Sequence, residues 1–318
     1  MRIRIGTRGS QLAMTQTDRV ANLLRRHGHD VDIHRIETVG DREKHLPFHA
    51  IGPAGIFVRE IEAALLREEI DAAVHSYKDL PSLSPEGLVV AAMPERLDPA
   101  DCLLLRPDAL ASDEGPIPLP QAARVGTGSA RREALLRELR PDLVTVPLRG
   151  NVPTRINKLR TQDYDAIVLA MAGLERLQKS DGSGDGPKSA DALDGVVMRR
   201  LDPEIFVPAP SQGALAVQVR AADGPARDAV ATIDSPSSRR EVDVERRLLS
   251  LVEGGCQVPV GAWCRATDDD VLKLTAVLGV GLSLRRAESV GRDVDQIAEA
   301  VAAELLQKTP APLVRGQA

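Results

Sequence analysis

Arg2-Ile-Arg-Ile-Gly-Thr-Arg-Gly-Ser10 alternates apolar and charged residues, breaks into a Gly/Thr/Ser turn and then enters a stretch of helical periodicity. The alternation predicts a strand over Arg2–Gly6, Thr7-Arg-Gly-Ser10 a tight turn, and the serine ahead of an apolar-periodic run a helix N-cap. That helix is predicted from Ser10 to His27, with Leu12, Val20, Leu23 and Leu24 as its apolar stripe and Gly28 as its stop. Ala123-Arg-Val-Gly-Thr-Gly-Ser129 repeats the phrase, ahead of a helical stretch that runs to Arg140. A second echo links Asp71-Ala-Ala-Val74 to Asp165-Ala-Ile-Val168. Unequal spacing in the two halves excludes a solenoid. Two similar α/β domains facing each other across a cleft are predicted instead.

The flanking segments fit that plan. Val31–Val39 is strand-like, and His49-Ala-Ile-Gly-Pro-Ala-Gly55 opens a helix with Phe57, Ile61, Ala64 and Leu65 on one face. Ala72–Val74 is a short buried strand that ends in His75-Ser-Tyr-Lys-Asp-Leu-Pro81. Strands alternating with helices predict a parallel or mixed sheet, with ligands gathered at the carboxyl ends of its strands. Beyond Ser235-Pro236 the pattern changes to a helix over Arg239–Val252, a Gly254-Gly-Cys-Gln-Val-Pro259 turn, strand signals around Val271–Val280 and a last helix over Val294–Gln307. A small separate α+β domain is expected there.

Composition narrows the function. The chain has 318 residues, 43% of them hydrophobic and 27% charged, which suits two or three globular domains. No apolar run reaches the roughly 18 residues that span a bilayer, and the amino terminus lacks the apolar block of a secretory signal. Cys102, Cys256 and Cys264 are too few for a disulfide framework and include no Cys-x-x-Cys pair, so the expected compartment is the cytoplasm. A net charge of −5 and an aromatic content of 2% argue against nucleic acid as a partner. His27, His29 and His34 match no metal-ligand spacing, and no metal is expected. Seven of the 41 basic residues are lysine, leaving 34 arginines, and a GC-rich genome accounts for most of that excess.

Position matters more than number. Ser129 is a good N-cap, yet Arg131 and Arg132 follow it in the first helical turn, where the helix dipole disfavours cations. On a solvated surface that cost is tolerable. Beside free helix-start amides the same arginines also make an anion site, and Thr7-Arg-Gly-Ser10 repeats the arrangement. Neither turn carries a nucleotide-binding fingerprint, so an organic polyacid is the better ligand. Arg149 and Arg155 flank another turn; with Arg8, Arg131, Arg132 and Arg176 they describe a cleft for several carboxylates. Lys78 and Asp79 follow a buried strand, and among cations Asp79 can stay ionised, stabilise a transient positive charge or exchange a proton with a leaving amine. Cys102 and Cys264 read as small buried hydrophobes. Cys256, after two glycines, is placed to serve as a covalent anchor.

Taken together, Thr7-Arg-Gly-Ser10, Ala73-Val-His-Ser-Tyr-Lys-Asp-Leu-Pro81, Val125-Gly-Thr-Gly-Ser-Ala-Arg-Arg132, Leu148-Arg-Gly-Asn151, Tyr164-Asp-Ala-Ile-Val-Leu-Ala170 and Gly254-Gly-Cys-Gln-Val-Pro259 resemble the porphobilinogen deaminase (hydroxymethylbilane synthase) family, in family order and over nearly the whole chain. The resemblance implies a transferase that condenses four porphobilinogen molecules head to tail, releases ammonia, and then releases 1-hydroxymethylbilane by hydrolysis. It implies two domains like type II periplasmic binding proteins, 1–94 with 214–231 and 100–207, and a third over 236–318. Cys256 would carry a dipyrromethane cofactor by a thioether, and Asp79 would be the catalytic carboxylate, stabilising cationic azafulvene and pyrrole intermediates. Lys78, Thr127, Ser129, Arg131, Arg132 and Arg155 would bind the cofactor. Arg8, Ser10, Phe57, Arg149 and Arg176 would serve porphobilinogen and the growing chain. A monomer is expected, with no nucleic-acid or membrane partner.

Three departures stand out. Gly52-Pro-Ala-Gly55 replaces a frequent Gly-Gly-Lys-Gly, so a lid contact is missing or comes from another residue such as Arg59. Gly128 stands where serine is frequent, and Pro210-Ser-Gln-Gly213 replaces a common Gly-Gln-Gly at the expected hinge. The alternative reading is a non-catalytic two-domain binder of a polycarboxylate, which would have no use for the Gly-Gly-Cys turn; an enzyme acting on phosphate esters lacks its nucleotide motifs.

Overall fold

The computed structural model describes residues 1–38, 58–111, 115–161, 164–178, 193–252, 259–267 and 270–307. The chain lays down strands β1 (Arg2–Arg8), β2 (Asp30–Ile36), β3 (Ala72–Ser76) and β4 (Leu88–Ala92), then crosses over. It builds β5 (Asp101–Leu105), β6 (Arg124–Thr127), β7 (Val144–Pro147), β8 (Ala166–Ala170) and β9 (Val197–Arg200), and crosses back to β10 (Leu215–Arg220). The two five-stranded sheets have the orders β2-β1-β3-β10-β4 and β7-β6-β8-β5-β9. In each, three strands are parallel, and the strand that arrives from a crossover runs antiparallel to both its neighbours. Two α/β sheets are thus present, as expected, each completed by a strand on the far side of a crossover.

The repeated phrase occupies equivalent places. Gly6 of β1 pairs with Ala73 of β3, and Gly126 of β6 pairs with Ile167 of β8. Both glycines lie inside strands, as the sequence has it for Gly6, whereas Gly126 was expected in the turn. Space is the reason: a Cβ on Gly6 would fall 2.3 Å from Ile70, and one on Gly126 would fall 3.0 Å from Ile167 and Tyr164. The turns come later, at Gly9 and Gly128, and each ends in a capping serine. Ser10 Oγ accepts from the Ala13 amide at 3.2 Å to start helix α1 (Gln11–Arg26). Gly128 also has a steric account, because a Cβ there would press on the Leu148 carbonyl oxygen at 2.9 Å. A serine at that position requires a different course for the Leu148 backbone.

Helices α2 (Arg59–Leu66), α3 (Ala130–Leu139), α4 (Val152–Thr161), α5 (Met171–Gln178) and α6 (Gly224–Ala231) complete the two lobes. Ile3, Ile5, Val20, Leu24, Val74 and Val217 close one core, and Leu103, Val125, Leu135 and Val168 another. Helix α7 (Pro236–Leu251), strands β11 (Val260–Ala266), β12 (Leu272–Val280) and β13 (Ser283–Gly291), and helix α8 (Val294–Gln307) form the α+β third domain. The sequence showed only the middle strand of its antiparallel sheet, because β13 carries arginines whose partners lie elsewhere. Arg285 donates to the Leu305 carbonyl at 2.6 Å, and Arg286 pairs with Glu138 of α3 at 2.5 Å. Cys102 and Cys264 are fully buried, as expected of small hydrophobes, and burial pushes the Cys102 thiol up to about 12. No helix among the described residues is long and apolar enough to cross a membrane.

One carboxylate ties the C-terminal elements to both crossovers. Glu245 of α7 takes a bidentate ion pair from Arg96 in the outgoing crossover at 2.8 and 3.0 Å, and it accepts from the amides of Ser211 in the return crossover (2.7 Å) and Cys264 of β11 (2.8 Å). Burial pushes its carboxyl above the ordinary range, and Arg96 offsets only part of that. The crossovers touch directly, Leu97 N donating to Gly213 O at 3.3 Å. Gly213 has φ +91°, and a Cβ there would sit 2.4 Å from the Leu97 carbonyl oxygen. Ser211, at φ +64°, holds a left-handed conformation that suits glycine, and its hydroxyl is buried without a partner. Gly213→Ala is therefore expected to destabilise the chain by about 3 kcal/mol, and Ser211→Gly to stabilise it by about 1 kcal/mol, in denaturant titrations.

Candidate active site

Strands β1 and β3 are parallel, so their carboxyl ends open on the same edge. β3 runs into a 3-10 turn, Tyr77–Asp79. That turn is pinned from two sides. Tyr77 N donates to Ala214 O at 3.1 Å. From α7, the Arg246 guanidinium stacks 4.6 Å from the centroid of the Tyr77 ring and donates to the carbonyls of Leu80 (3.1 Å) and Pro81. The outcome is a buried Tyr77, a half-buried Lys78 and an exposed Asp79. Asp79 lines one crevice with Arg8, Ser10, Gln16, His75 and Ser76. His75 is buried with an unpartnered Nε2, and burial brings its imidazole down to about 4, so it is neutral at pH 7.

The second lobe presents the ends of β6 and β7 with the helices that follow them. Ser129 caps α3, accepting from the Arg132 amide at 3.4 Å, while its own amide donates to Thr127 Oγ1 at 3.2 Å. Arg131 and Arg132 are not solvated there. They are 5% and 6% exposed, and both reach Asp101 at the head of β5. Arg131 Nη2 donates to Asp101 Oδ2 at 2.7 Å; Arg132 donates to Oδ1 through Nη2 at 2.8 Å and Nε at 3.2 Å. Burial alone would raise the Asp101 carboxyl, but the two guanidiniums hold it down at about 2. Gln212 of the return crossover donates Nε2 to the same oxygen at 2.9 Å, and its Oε1 accepts from Lys78 Nζ at 3.2 Å. Lys78 of one lobe and Arg131 and Arg132 of the other are thereby joined through Gln212 and Asp101. Burial, reinforced by Arg132, brings the Lys78 ammonium down to about 8 against the opposing pull of Asp79 and Asp101.

The remaining arginines surround this cluster. Arg155 donates Nε to Gly150 O at 2.7 Å, and burial with the fields of Arg132 and Arg149 brings it down to about 10. Arg149 is exposed beside it. Arg176 is buried, donates Nη2 to Gly213 O at 3.0 Å and keeps an unpartnered Nε. Its charge is disfavoured by burial and Arg19 and favoured by Glu175 and Asp79. It lines a second crevice where α1 meets α4 and α5, with Gln11, Thr15, Asn151 and Val152. The structure thus groups Arg8, Ser10 and Asp79 in one crevice and Lys78, Arg131, Arg132, Arg149 and Arg155 in one field, with Arg176 at the junction of the lobes. Phe57, Cys256 and Gly52-Pro53-Ala54-Gly55 lie outside the described residues. Among the described residues no group of three or more His, Cys, Asp or Glu could hold a metal ion.

Three participants escaped the sequence reading. Asp101 leaves a faint signal, a lone carboxylate ahead of Cys102-Leu-Leu-Leu105 in a strand buried throughout. Such an acid needs buried cations. Arg246 leaves none and Gln212 shows only within Pro210-Ser-Gln-Gly213 at the expected hinge, since their partners lie more than 100 residues away.

A two-lobed α/β chain whose facing strand ends carry cations and one exposed carboxylate is a site for acidic small molecules with proton-transfer capacity. The donor set suits a multiply carboxylated group: the N–H groups of Arg155 and Arg176 outnumber their acceptors, and Lys78 faces the same field. The chain belongs to the porphobilinogen deaminase family. Residues 3–228 match the family's dipyrromethane cofactor-binding domain and residues 239–307 its C-terminal domain. It is similar to the porphobilinogen deaminase of Roseiflexus castenholzii, 41% identical over 98% of both chains. To that of Acidothermus cellulolyticus it is 40% identical, over 96% of this chain and 88% of that one. Among solved structures, the periplasmic VFT2 domain of BvgS from Bordetella pertussis aligns at a TM-score of 0.41 and 14% identity, over 73% of this chain and 86% of that one.

Lys78 supplies a test of this electrostatic arrangement. Its folded value of about 8 lies below the ordinary 10.5, so carrying the ammonium costs stability in full below pH 8, where folded and unfolded chains are both protonated. Between these values the folded chain sheds its proton first and the cost fades. Lys78→Met is expected to raise the melting temperature at pH 7, with a gain that shrinks as the pH rises from 8 toward 10.5.

Proposed function

We propose that Asp79 is the catalytic carboxylate and Cys256 the cofactor attachment point of the reaction that family membership assigns to this chain. That reaction is the stepwise condensation of four porphobilinogen molecules and hydrolytic release of 1-hydroxymethylbilane. One observation carries the assignment: the turn bearing Lys78 and Asp79 and the arginine-rich start of α3 belong to a single hydrogen-bonded cluster between the lobes. When bound, the dipyrromethane supplies the pyrrole carbon that the first unit joins. Lys78, Thr127, Ser129, Arg131, Arg132 and Arg155 hold its carboxylates, Arg8, Ser10, Arg149 and Arg176 hold those of porphobilinogen and the lengthening chain, and Phe57 adds an apolar surface to the substrate site.

Asp79 then has two tasks for which an exposed carboxylate in a cationic crevice is suited. As the aminomethyl C–N bond breaks and ammonia departs, it faces the positive charge left on the substrate pyrrole. As the new C–C bond forms, it accepts the proton lost from the ring carbon. Neutral His75 adds no competing cation beside it. The division of labour runs by domain: 1–94 with 214–231 carries the carboxylate, 100–207 the arginines, and 236–318 the attachment cysteine. The chain works as a monomer in the cytoplasm, with neither nucleic acid nor membrane as partner.

The intact mass of the purified chain is expected to exceed the sequence mass by about two pyrrole units, an excess that Cys256→Ser abolishes. An unmodified, folded chain that consumes no porphobilinogen would favour the polycarboxylate binder instead. Asp79→Asn is expected to keep the adduct and lose turnover by roughly 10²–10⁴-fold; wild-type turnover in that variant would remove Asp79 from its role.

A further inference from the structure

Asp101 is fully buried, makes no approach to solvent and lies outside every motif that suggested function. Its partners do not. Its two oxygens take three N–H groups from Arg131 and Arg132 and one from Gln212, whose other end accepts from Lys78. We propose that Asp101 is a positioning residue for the cofactor site, fixing Arg131 and Arg132 directly and Lys78 through Gln212 so that one preformed cradle meets the carboxylates. The inference rests on the proposed roles of those three cations.

The hydrogen-bond inventory separates this from simple charge neutralisation. A guanidinium has five N–H donors. Arg132 commits three, two to Asp101 and one to the Val168 carbonyl at 2.8 Å. Arg131 commits two, one to Asp101 and one to the Val207 carbonyl at 2.6 Å. Each side chain is therefore locked in one orientation while donors remain for a ligand. Against three cations Asp101 contributes one anion, so the cluster stays net positive. Preorganised donors of this kind spare the ordering cost when an anion arrives. Position in the fold adds a second consequence. Asp101 begins β5 directly after the outgoing crossover, and Gln212 lies in the return crossover, donating also to Pro99 O at 2.8 Å. The cradle therefore spans both connections between the lobes, and any hinge motion must carry it as a unit or break it.

Lys78 reports on the arrangement through its titration, since the groups facing it are Arg131 and Arg132 of α3, Asp79 of its own turn and Asp101 of β5. Removing the Asp101 anion, or the Gln212 acceptor, disfavours the ammonium. The test compares the full-length chain with Asp101→Asn and Gln212→Met by intact mass and by the pH profile of porphobilinogen turnover. The wild type is expected to carry the two-pyrrole adduct. Asp101→Asn, folded by circular dichroism, is expected to lose at least about tenfold in adduct fraction, with the alkaline limb of its residual turnover moved about one unit to lower pH. Gln212→Met leaves the Asp101–arginine bonds intact, so it should keep the adduct and show the same acid shift. A folded Asp101→Asn with wild-type adduct and pH profile would overturn the proposal. If Asp101→Asn does not fold, Gln212→Met decides, and an unmoved alkaline limb there overturns it. A wild-type chain without adduct would instead overturn the cofactor role on which the inference rests.

Discussion

Two arginine side chains at the start of α3 are removed from water, and one buried carboxylate makes that tolerable. Without Asp101 the interior would hold uncompensated guanidiniums, a situation that costs about 3–5 kcal/mol when one partner of a buried pair is lost. Much of the site follows from that single compensation. It dictates where the first turn of α3 lies against the head of β5, and with it the position of the Ser129 cap. Through Gln212 it reaches the opposite lobe at Lys78. A cluster that looks like a set of independent anion hooks is thus one network with a fixed internal anion.

The third domain belongs to the same system. Glu245 and Arg246 are neighbours on α7 and point to different tasks. Glu245 gathers both crossovers through Arg96 and the Ser211 amide, and Arg246 stacks on Tyr77 and holds the carbonyls that follow Asp79. Helix α7 thus holds the two crossovers and the carboxylate turn at once. The left-handed Ser211 and Gly213 sit where these contacts converge. Backbone conformation at that point is set by close approach of the crossovers, since the Leu97 carbonyl leaves no room for a side chain at Gly213.

The architecture was largely legible because it rests on local signals. Alternation in Arg2–Gly6, the serine caps, and the echo of that phrase at Ala123–Ser129 are written in consecutive residues. They led to paired α/β lobes whose equivalent strands occupy equivalent places in the two sheets. What failed locally failed for spatial reasons. Gly126 reads as a turn glycine, yet it is a strand position where neighbouring side chains fill the space of a Cβ. β13 was obscured by arginines whose partners are on other elements. At the site, the sequence marked the cations and the exposed carboxylate, because unusual residues at helix starts and strand ends are visible one at a time. Asp101 and Arg246 were not marked, and Gln212 was marked only as part of the expected hinge. Their significance is relational, and no spacing within the chain announces a partner that only folding brings near.

The central claim is that an acidic, sulfur-tethered pyrrole chain occupies the cationic crevice while Asp79 manages its charge. A crystal structure of the chain isolated with its covalent adduct tests this most directly. The account predicts density continuous with Cys256 Sγ, carboxylates in contact with Lys78, Ser129 and Arg155, pyrrole nitrogens facing Asp79, and Asp101 still bridging Arg131 and Arg132. A tethered group directed away from these arginines, or an adduct on another residue, would contradict it.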